Sequence, residues 1–491
     1  MRGAHGRRLV HRRLLGLVAG LLVVALVTLV VSLRTNGAAP PHHLSRRLPT
    51  TTSTLGPTPD APQSATWRVA WGSAMAWGFG EASDTTVREL ARVGVGGTAL
   101  RIRISNVFGN APLAVGAVTV ALDAGGAAIV PGTMLPVTFG GAPGATIPVG
   151  GVVTSDPAEM TVHAMQTLAV SVFVSGRDLV STNPSRPGGP SVSYFTPNGG
   201  GDVASAADAA AFPFGDSSPR WVDAVDVLSS AARGSVVVVG DSISAGYHTP
   251  LRWTDLLEER IALLPPDERR AVVNEAISGN TLLALPDNFA SRGGGPAGLD
   301  RLVPDALSQP GVSEIVLFLG TNDLWFGATA TQVISGMQQA ITTAHQASLK
   351  IIGVTLLPRA GSDVDGRPWT PTMEAYREQV NHWIRTSHTF DGVLDFASVV
   401  RDAYNGACSP TSMFPPFSSG DDLHPGPAGQ TALGDSVATT LLEVPPAPAV
   451  PLLVPVTPTP GCVGPTGAPT PPPPTSRPAA TTASTSPAGG G

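Results

Sequence analysis

From residue 235 onward the chain carries five short runs of nearly continuous apolar residues: 235–240 (SVVVVG), 271–276 (AVVNEA), 314–320 (EIVLFLG), 350–356 (KIIGVTL) and 393–396 (VLDF). A strand wetted on one face alternates apolar with polar residues, whereas a run that is apolar throughout has to be covered on both faces. Helical patterns separate the runs, at 251–264, 331–347 and 372–386; in the second, Val333, Ile334, Met337, Ile341 and Ala344 fall on one face. Strands alternating with helices predict an α/β domain over 231–443, built on a parallel sheet covered on both sides. In such sheets ligands bind beyond the carboxyl ends of the strands.

The preceding segment, 67–230, has the opposite texture. In Leu100-Arg101-Ile102-Arg103-Ile104 the apolar side chains fall on one face of a strand and the arginines on the other. Runs at 113–122, 135–139, 168–174 and 191–195 read as further strands, separated by turns such as FGNAP and GGAPG, with no long amphipathic helix among them. This pattern predicts an antiparallel β-sandwich or jelly roll. Trp67, Trp71 and Trp77 at its start read mainly as packing residues, in the core or against the next domain; a sugar-stacking platform is the minor alternative.

The amino-terminal end reads as a transmembrane helix, and the linker and tail need no fold. Residues 14–33 form 20 positions without a charge, which at about 1.5 Å per residue span the roughly 30 Å hydrocarbon core of a bilayer. Arg2, Arg7, Arg8, Arg12 and Arg13 lie in the basic segment 1–13, so the positive-inside rule leaves that end in the cytoplasm and sends the rest outward. An uncleaved anchor is the favoured reading. A cleaved signal peptide, secreting the protein, is the alternative, but its apolar stretch is usually about 7–15 residues and ends in a small-x-small site. Residues 34–66 read as a Pro/Thr/Ser-rich linker and 444–491 as an extended Pro-rich tail, a solvated spacer or a contact to the cell envelope.

A net charge of −6 gives no reason to expect nucleic acid as a partner. Two cysteines, Cys408 and Cys462, provide no CxxC pair and no thiol-based metal site; whether they pair is open. No metal or other cofactor is expected.

The loop after the first apolar run is GDSISAGY (240–247), with Ser242 at the carboxyl end of a strand where a helix begins. Gly240 permits the tight turn, and a helix amino terminus favours negative charge on an attacking oxygen. A serine hydroxyl is a weak nucleophile and needs a base within hydrogen-bond reach. His424, in DDLHP (421–425), is the candidate base, and Asp421 can lie on the same side of one turn to set the imidazole tautomer. Gly279, in NEAISGN (274–280), can offer an unshielded N–H, and Asn322, in GTND (320–323), a side-chain amide. With the N–H of Ser242 these would form an oxyanion hole. Other Gly-Asp-Ser tripeptides at 215–217 and 434–436 lack this setting. The α/β-hydrolase elbow is absent, because Ser244 stands where its last glycine would be.

These four islands, in this order, resemble the SGNH branch of the GDSL esterase/lipase family over about 235–442. The resemblance implies a three-layer α/β/α, flavodoxin-like domain. It assigns Ser242 as nucleophile, His424 as base, Asp421 as its orienter, and Gly279 and Asn322 as partners of Ser242 in the oxyanion hole. Asp422 fills a position often held by glycine, which leaves open which aspartate orients His424. Residues 67–442 are also similar to an actinobacterial secreted subgroup that pairs this hydrolase with an N-terminal β-domain.

The function expected is an extracytoplasmic serine esterase for short-chain esters, such as O-acetyl groups on polysaccharides. The alternatives are a lipase or lysophospholipase acting on lipid esters, and a cell-envelope binding protein that uses the β-domain. Asn274 and Asp323 are expected to hold loops by hydrogen bonds; His248 is expected on an exposed loop; and His345, His382 and His388 on the surface.

Overall fold

The architecture follows from where apolar side chains can be covered. The computed structural model describes residues 64–183, 189–286, 294–401 and 411–438. The expected anchor at 14–33, nearly all of the linker, the tail at 444–491, Cys408 and Cys462 lie outside the described residues. Among the described residues no helix is long and apolar enough to cross a membrane.

The first half forms two antiparallel sheets. The principal strands are β1 (Thr66–Gly72), β2 (Ala76–Arg92), β3 (Leu100–Ser105), β4 (Leu113–Gly125), β5 (Thr167–Thr182) and β6 (Val222–Ser229). One sheet runs β1, β6, β3 and the short strand Val152–Thr154; in the other, β5 lies between β2 and β4. Period two explains the packing: Leu100, Ile102 and Ile104 are buried, while Arg101 and Arg103 turn to β6 and donate to Asp226 and Asp223, each at 2.8 Å. Sequence reading missed β1, β2 and β6. In β2, register shifts at 77–81 and 83–85 break the alternation that would have marked the strand. The tryptophans divide. Trp67 lies under the Arg101 guanidinium at 4.0 Å, Trp71 packs on the core, and Trp77 is 44% exposed, edge-on to Phe108.

The second half forms the parallel sheet: β7 (Gly234–Gly240), β8 (Arg270–Asn274), β9 (Val312–Phe318), β10 (Lys350–Val354) and β11 (Gly392–Leu394). Their spatial order is β8-β7-β9-β10-β11 and every pairing is parallel. This is a doubly wound order, and its switch point lies between β7 and β9. Val236, Val237, Val238 and Val239 are fully buried, each worth about 1.5–3 kcal/mol. They place β7 in the interior of the sheet. The register Gly240↔Phe318 brings β7 and β9 to the same level, so the loops that follow them face each other across the switch point.

The two halves share a core. One cluster of buried side chains includes Leu100 and Val227 of the sandwich together with Val237, Ala271 and Val273 of the parallel sheet. Hydrogen bonds stitch the seam: Val69 N–H donates to the Pro310 carbonyl at 2.8 Å, and Ser235 Oγ donates to the Val69 carbonyl at 2.6 Å.

Glu89 on β2 is buried. Its Oε1 accepts from Ser193 Oγ and from Arg220 N–H, both at 2.7 Å, and Oε2 has no partner among the described residues. Burial pushes its carboxyl up to about 8, above the roughly 4.3 of an unfolded glutamate. A raised acid contributes stability that is fully present below the unfolded value and is lost as pH rises toward the folded one. The melting temperature should therefore fall between pH 5 and 8, and less steeply in Glu89→Gln. An unchanged slope in that variant would show that Glu89 is already ionised in the fold.

Candidate active site

At the end of β7 the chain turns sharply. Asp241 caps the short helix α1 (Ser242–Ala245), its Oδ1 accepting from Ile243 N–H at 3.0 Å. Gly246, at φ +85°, closes the turn by donating to the Ser242 carbonyl at 3.1 Å. A Cβ on Gly240 would lie 2.8 Å from Ser244 Oγ, so glycine is needed there. Ser244 is committed to packing, with its Oγ accepting from Trp253 Nε1 at 3.0 Å.

Ser242 and His424 lie 182 residues apart in sequence, and His424 Nε2 is 2.8 Å from Ser242 Oγ. Asp421 Oδ2 is 2.5 Å from His424 Nδ1. Its Oδ1 accepts from His424 N–H at 2.8 Å and Leu423 N–H at 3.0 Å, a local turn that locks the carboxylate in place. An Nδ1–H donated to Asp421 leaves the Nε2 lone pair facing the serine hydroxyl. Asp422 makes no bond to the imidazole. It sits at φ +56°, the left-handed region that favours glycine.

Gly279 turns at φ +77°, and neither its N–H nor that of Ser242 has a partner among the described residues. Asn322 is buried and donates through Nδ2 to the Asn280 carbonyl at 2.9 Å, which leaves its second amide hydrogen available. Asp323 accepts from Leu282 and Leu283 N–H at 2.8 Å each. Asn274 donates to the Ser244 carbonyl and to Thr254 Oγ1, both at 2.8 Å. These two residues hold the loops. His248 is exposed, as expected; His345, although exposed, pairs with Asp391 at 2.9 Å.

Sequence reading missed three residues here. Arg301, 3% exposed, donates to the carbonyls of Gly240 (3.1 Å) and Glu275 (2.5 Å) and to Asn280 Oδ1 (3.0 Å), tying together the loops after β7 and β8. Tyr247 packs on the His424 ring at 4.6 Å. Arg359, 1% exposed, lies over Trp369 at 4.4 Å and donates to Thr321 Oγ1 at 3.0 Å. Only Arg359 left a usable signal, a charge just beyond the apolar run KIIGVTL, at the carboxyl end of a strand.

The electrostatics separate the groups. Burial pushes Asp241 up to about 7 and Asp323 up to about 6. The bonds from His424 and from the backbone N–H groups of His424 and Leu423 outweigh burial and hold Asp421 far below the usual carboxylate range. Burial, and to a smaller extent the Arg359 charge, lower His424, although Asp421 opposes them. A neutral imidazole between an ionised carboxylate and a serine hydroxyl can accept the hydroxyl proton. Among the described residues no group of three His, Cys, Asp or Glu side chains is placed to hold a metal ion.

Residues 238–432, which contain all of these loops, match the model of the GDSL-like Lipase/Acylhydrolase family. This domain belongs to that family. An arylesterase of Vibrio mimicus is 30% identical to this chain over 129 residues, or 26% of this chain and 56% of the relative. The chain thus spans little more than half the length of that curated relative. Among solved structures, the aryl esterase of M. smegmatis aligns at 18% identity and a TM-score of 0.32, over 43% of this chain and 97% of its own. An acetylxylan esterase from Geobacillus stearothermophilus aligns at 18% identity and 0.30, over 42% of this chain and 92% of its own. TM-scores this low add no weight to the family match.

The His424 imidazole should titrate below the ordinary histidine value of about 6.5, followed by its NMR resonances. In Arg359→Met the midpoint should move upward, because a cation that disfavours the imidazolium is gone. A midpoint that stays put or moves down would remove Arg359 from the electrostatics of this site.

Proposed function

We propose that this GDSL-family chain is an extracytoplasmic serine esterase that removes short acyl groups, O-acetyl groups on polysaccharides among them, through an acyl-enzyme. The observation that carries the reading is the unbroken line from Asp421 through His424 to Ser242, with hydrogen bonds of 2.5 and 2.8 Å. The N–H groups of Ser242 and Gly279 have no partner among the described residues.

In the proposed reaction Ser242 Oγ attacks the ester carbonyl carbon while His424 Nε2 takes the hydroxyl proton. The N–H groups of Ser242 and Gly279 and the Asn322 amide receive the oxyanion of the tetrahedral intermediate. One such donor is typically worth about 2.7–4 kcal/mol. Asp421 stabilises the imidazolium without taking its proton. Collapse breaks the ester C–O bond, and His424 hands its proton to the departing alkoxide. Water, deprotonated by the same imidazole, then attacks the acyl-enzyme and releases the carboxylic acid and free Ser242. No step uses a metal or cofactor.

The extracytoplasmic setting is supported by the uncharged stretch 14–33 behind five arginines, whether it is retained as an anchor or cleaved. The activity is supported by the family match and by a relative described as an arylesterase.

Ser242→Ala should cut ester hydrolysis by at least about a thousandfold without lowering the melting temperature, and should abolish labelling by a fluorophosphonate probe. Full turnover by that variant would exclude the mechanism. Against a series of aryl esters, kcat/KM should be higher for acetyl than for long acyl chains. It should also rise with pH through the His424 midpoint, since only the neutral imidazole is a base. A preference for long chains would favour a lipid substrate instead.

A further inference from the structure

The loop that carries Gly279 is held from two directions, and one of them is the β-sandwich. Within the hydrolase domain, Arg301 Nη1 donates to the Glu275 carbonyl at 2.5 Å, Ile277 N–H donates to the Gly240 carbonyl at 3.1 Å, and Asn280 N–H donates to the Ile277 carbonyl at 3.1 Å. The carbonyl between these, that of Ala276, is held by the other domain. Asn183, the residue after β5, donates through Nδ2 to the Ala276 carbonyl at 3.0 Å, and the same nitrogen is 3.2 Å from Ser73 Oγ. Asn183 and Ser73 are both buried. The next side chain, Ile277, is fully buried in a small cluster with Ala74, from the β1–β2 connection, and Ala76, the first residue of β2. The approach is close throughout: a Cβ on Gly72, at the end of β1, would lie 2.3 Å from Glu275 Oε1.

We propose that the β-domain is a working part of the active site, with Asn183 as a positioning residue that sets the Gly279 N–H through the Ala276 carbonyl. The inference rests on the esterase reading for its kinetic test but not for its structural one. The peptide between Ala276 and Ile277 is bonded at both ends, its carbonyl by Asn183 and its N–H by the Gly240 carbonyl. Its orientation determines the direction in which the chain enters Ser278 and Gly279. An oxyanion donor works only if it is aimed before the charge forms, and a misplacement of about 1 Å can cost as much as a hundredfold in rate. Asn183 touches neither Ser242 nor His424. Its loss should therefore weaken transition-state stabilisation while leaving substrate binding and the His424 titration unchanged.

Three variants test this on the full chain, with phenyl acetate as substrate and active sites counted by fluorophosphonate titration. In Asn183→Ala, kcat per titrated site should fall about tenfold, KM should change less than about twofold, and the pH midpoint should stay in place. Asn183→Asp, which places a carboxylate against the Ala276 carbonyl, should lose at least as much. Ser73→Ala removes only the second partner of the amide and should retain most of kcat. Independently of turnover, hydrogen exchange over 275–283 should accelerate in Asn183→Ala while that of 235–240 stays slow. An unchanged kcat per site beside an active wild type, or a loss confined to melting temperature and to the number of titratable sites, would overturn the proposal. An inactive wild type would instead count against the esterase reading, and unaltered exchange over 275–283 would then overturn this inference by itself.

Discussion

Complete burial of four consecutive valines, Val236–Val239, is the constraint from which the rest follows. A strand with nothing polar to show to water has to lie inside a sheet covered on both sides, with β8 and β9 as its neighbours. That position brings the chain out at Gly240, level with Phe318 of β9, at the point where the winding of the sheet reverses. Ser242 therefore emerges between the loops that carry Gly279 and Asn322. Its location is a consequence of hydrophobic burial rather than of any local preference of the GDSISAGY segment.

Buried cations then hold those loops together. Arg301 and Arg359 are each nearly inaccessible to water, and both spend their donors chiefly on backbone carbonyls and on hydroxyl or amide oxygens. Buried charge is costly unless its hydrogen bonds are satisfied, so each arginine is tolerated only with the surrounding loops in one arrangement. Arg359 has a second effect, since its charge disfavours a proton on His424. The ionised Asp421 opposes it, and the imidazole is left neutral but able to be protonated, as a base has to be.

The seam between the halves has the character of a core rather than of a linker-joined contact. Apolar side chains from both sheets belong to one cluster, glycines permit backbone approach, and a sandwich asparagine satisfies a carbonyl of the hydrolase loop. Such an arrangement ties the residue after β5 and the β1–β2 connection directly to the loop that carries Gly279.

Much of this was legible in the sequence, for a definite reason. Covered strands, a period-two sandwich and a helix face are patterns repeated over many residues, and Gly240, Asp421 and Gly279 stand in short loops whose turn chemistry is local. Sequence reading failed where the signal was broken or distant: β2, whose bulges interrupt alternation; β1 and β6; and the buried Arg301, which looks like a surface residue of an ordinary helix. By itself the sequence determined which serine and which histidine meet, because burial pattern and turn preference are written residue by residue. Only the tertiary structure decided that Asp421 rather than Asp422 meets the imidazole, that Arg359 lies within reach of its charge, and that Asn183 grips the Gly279 loop. The Asn183 contact joins residues 93 positions apart, and its distance depends on how whole sheets pack, which no local stretch of chain encodes.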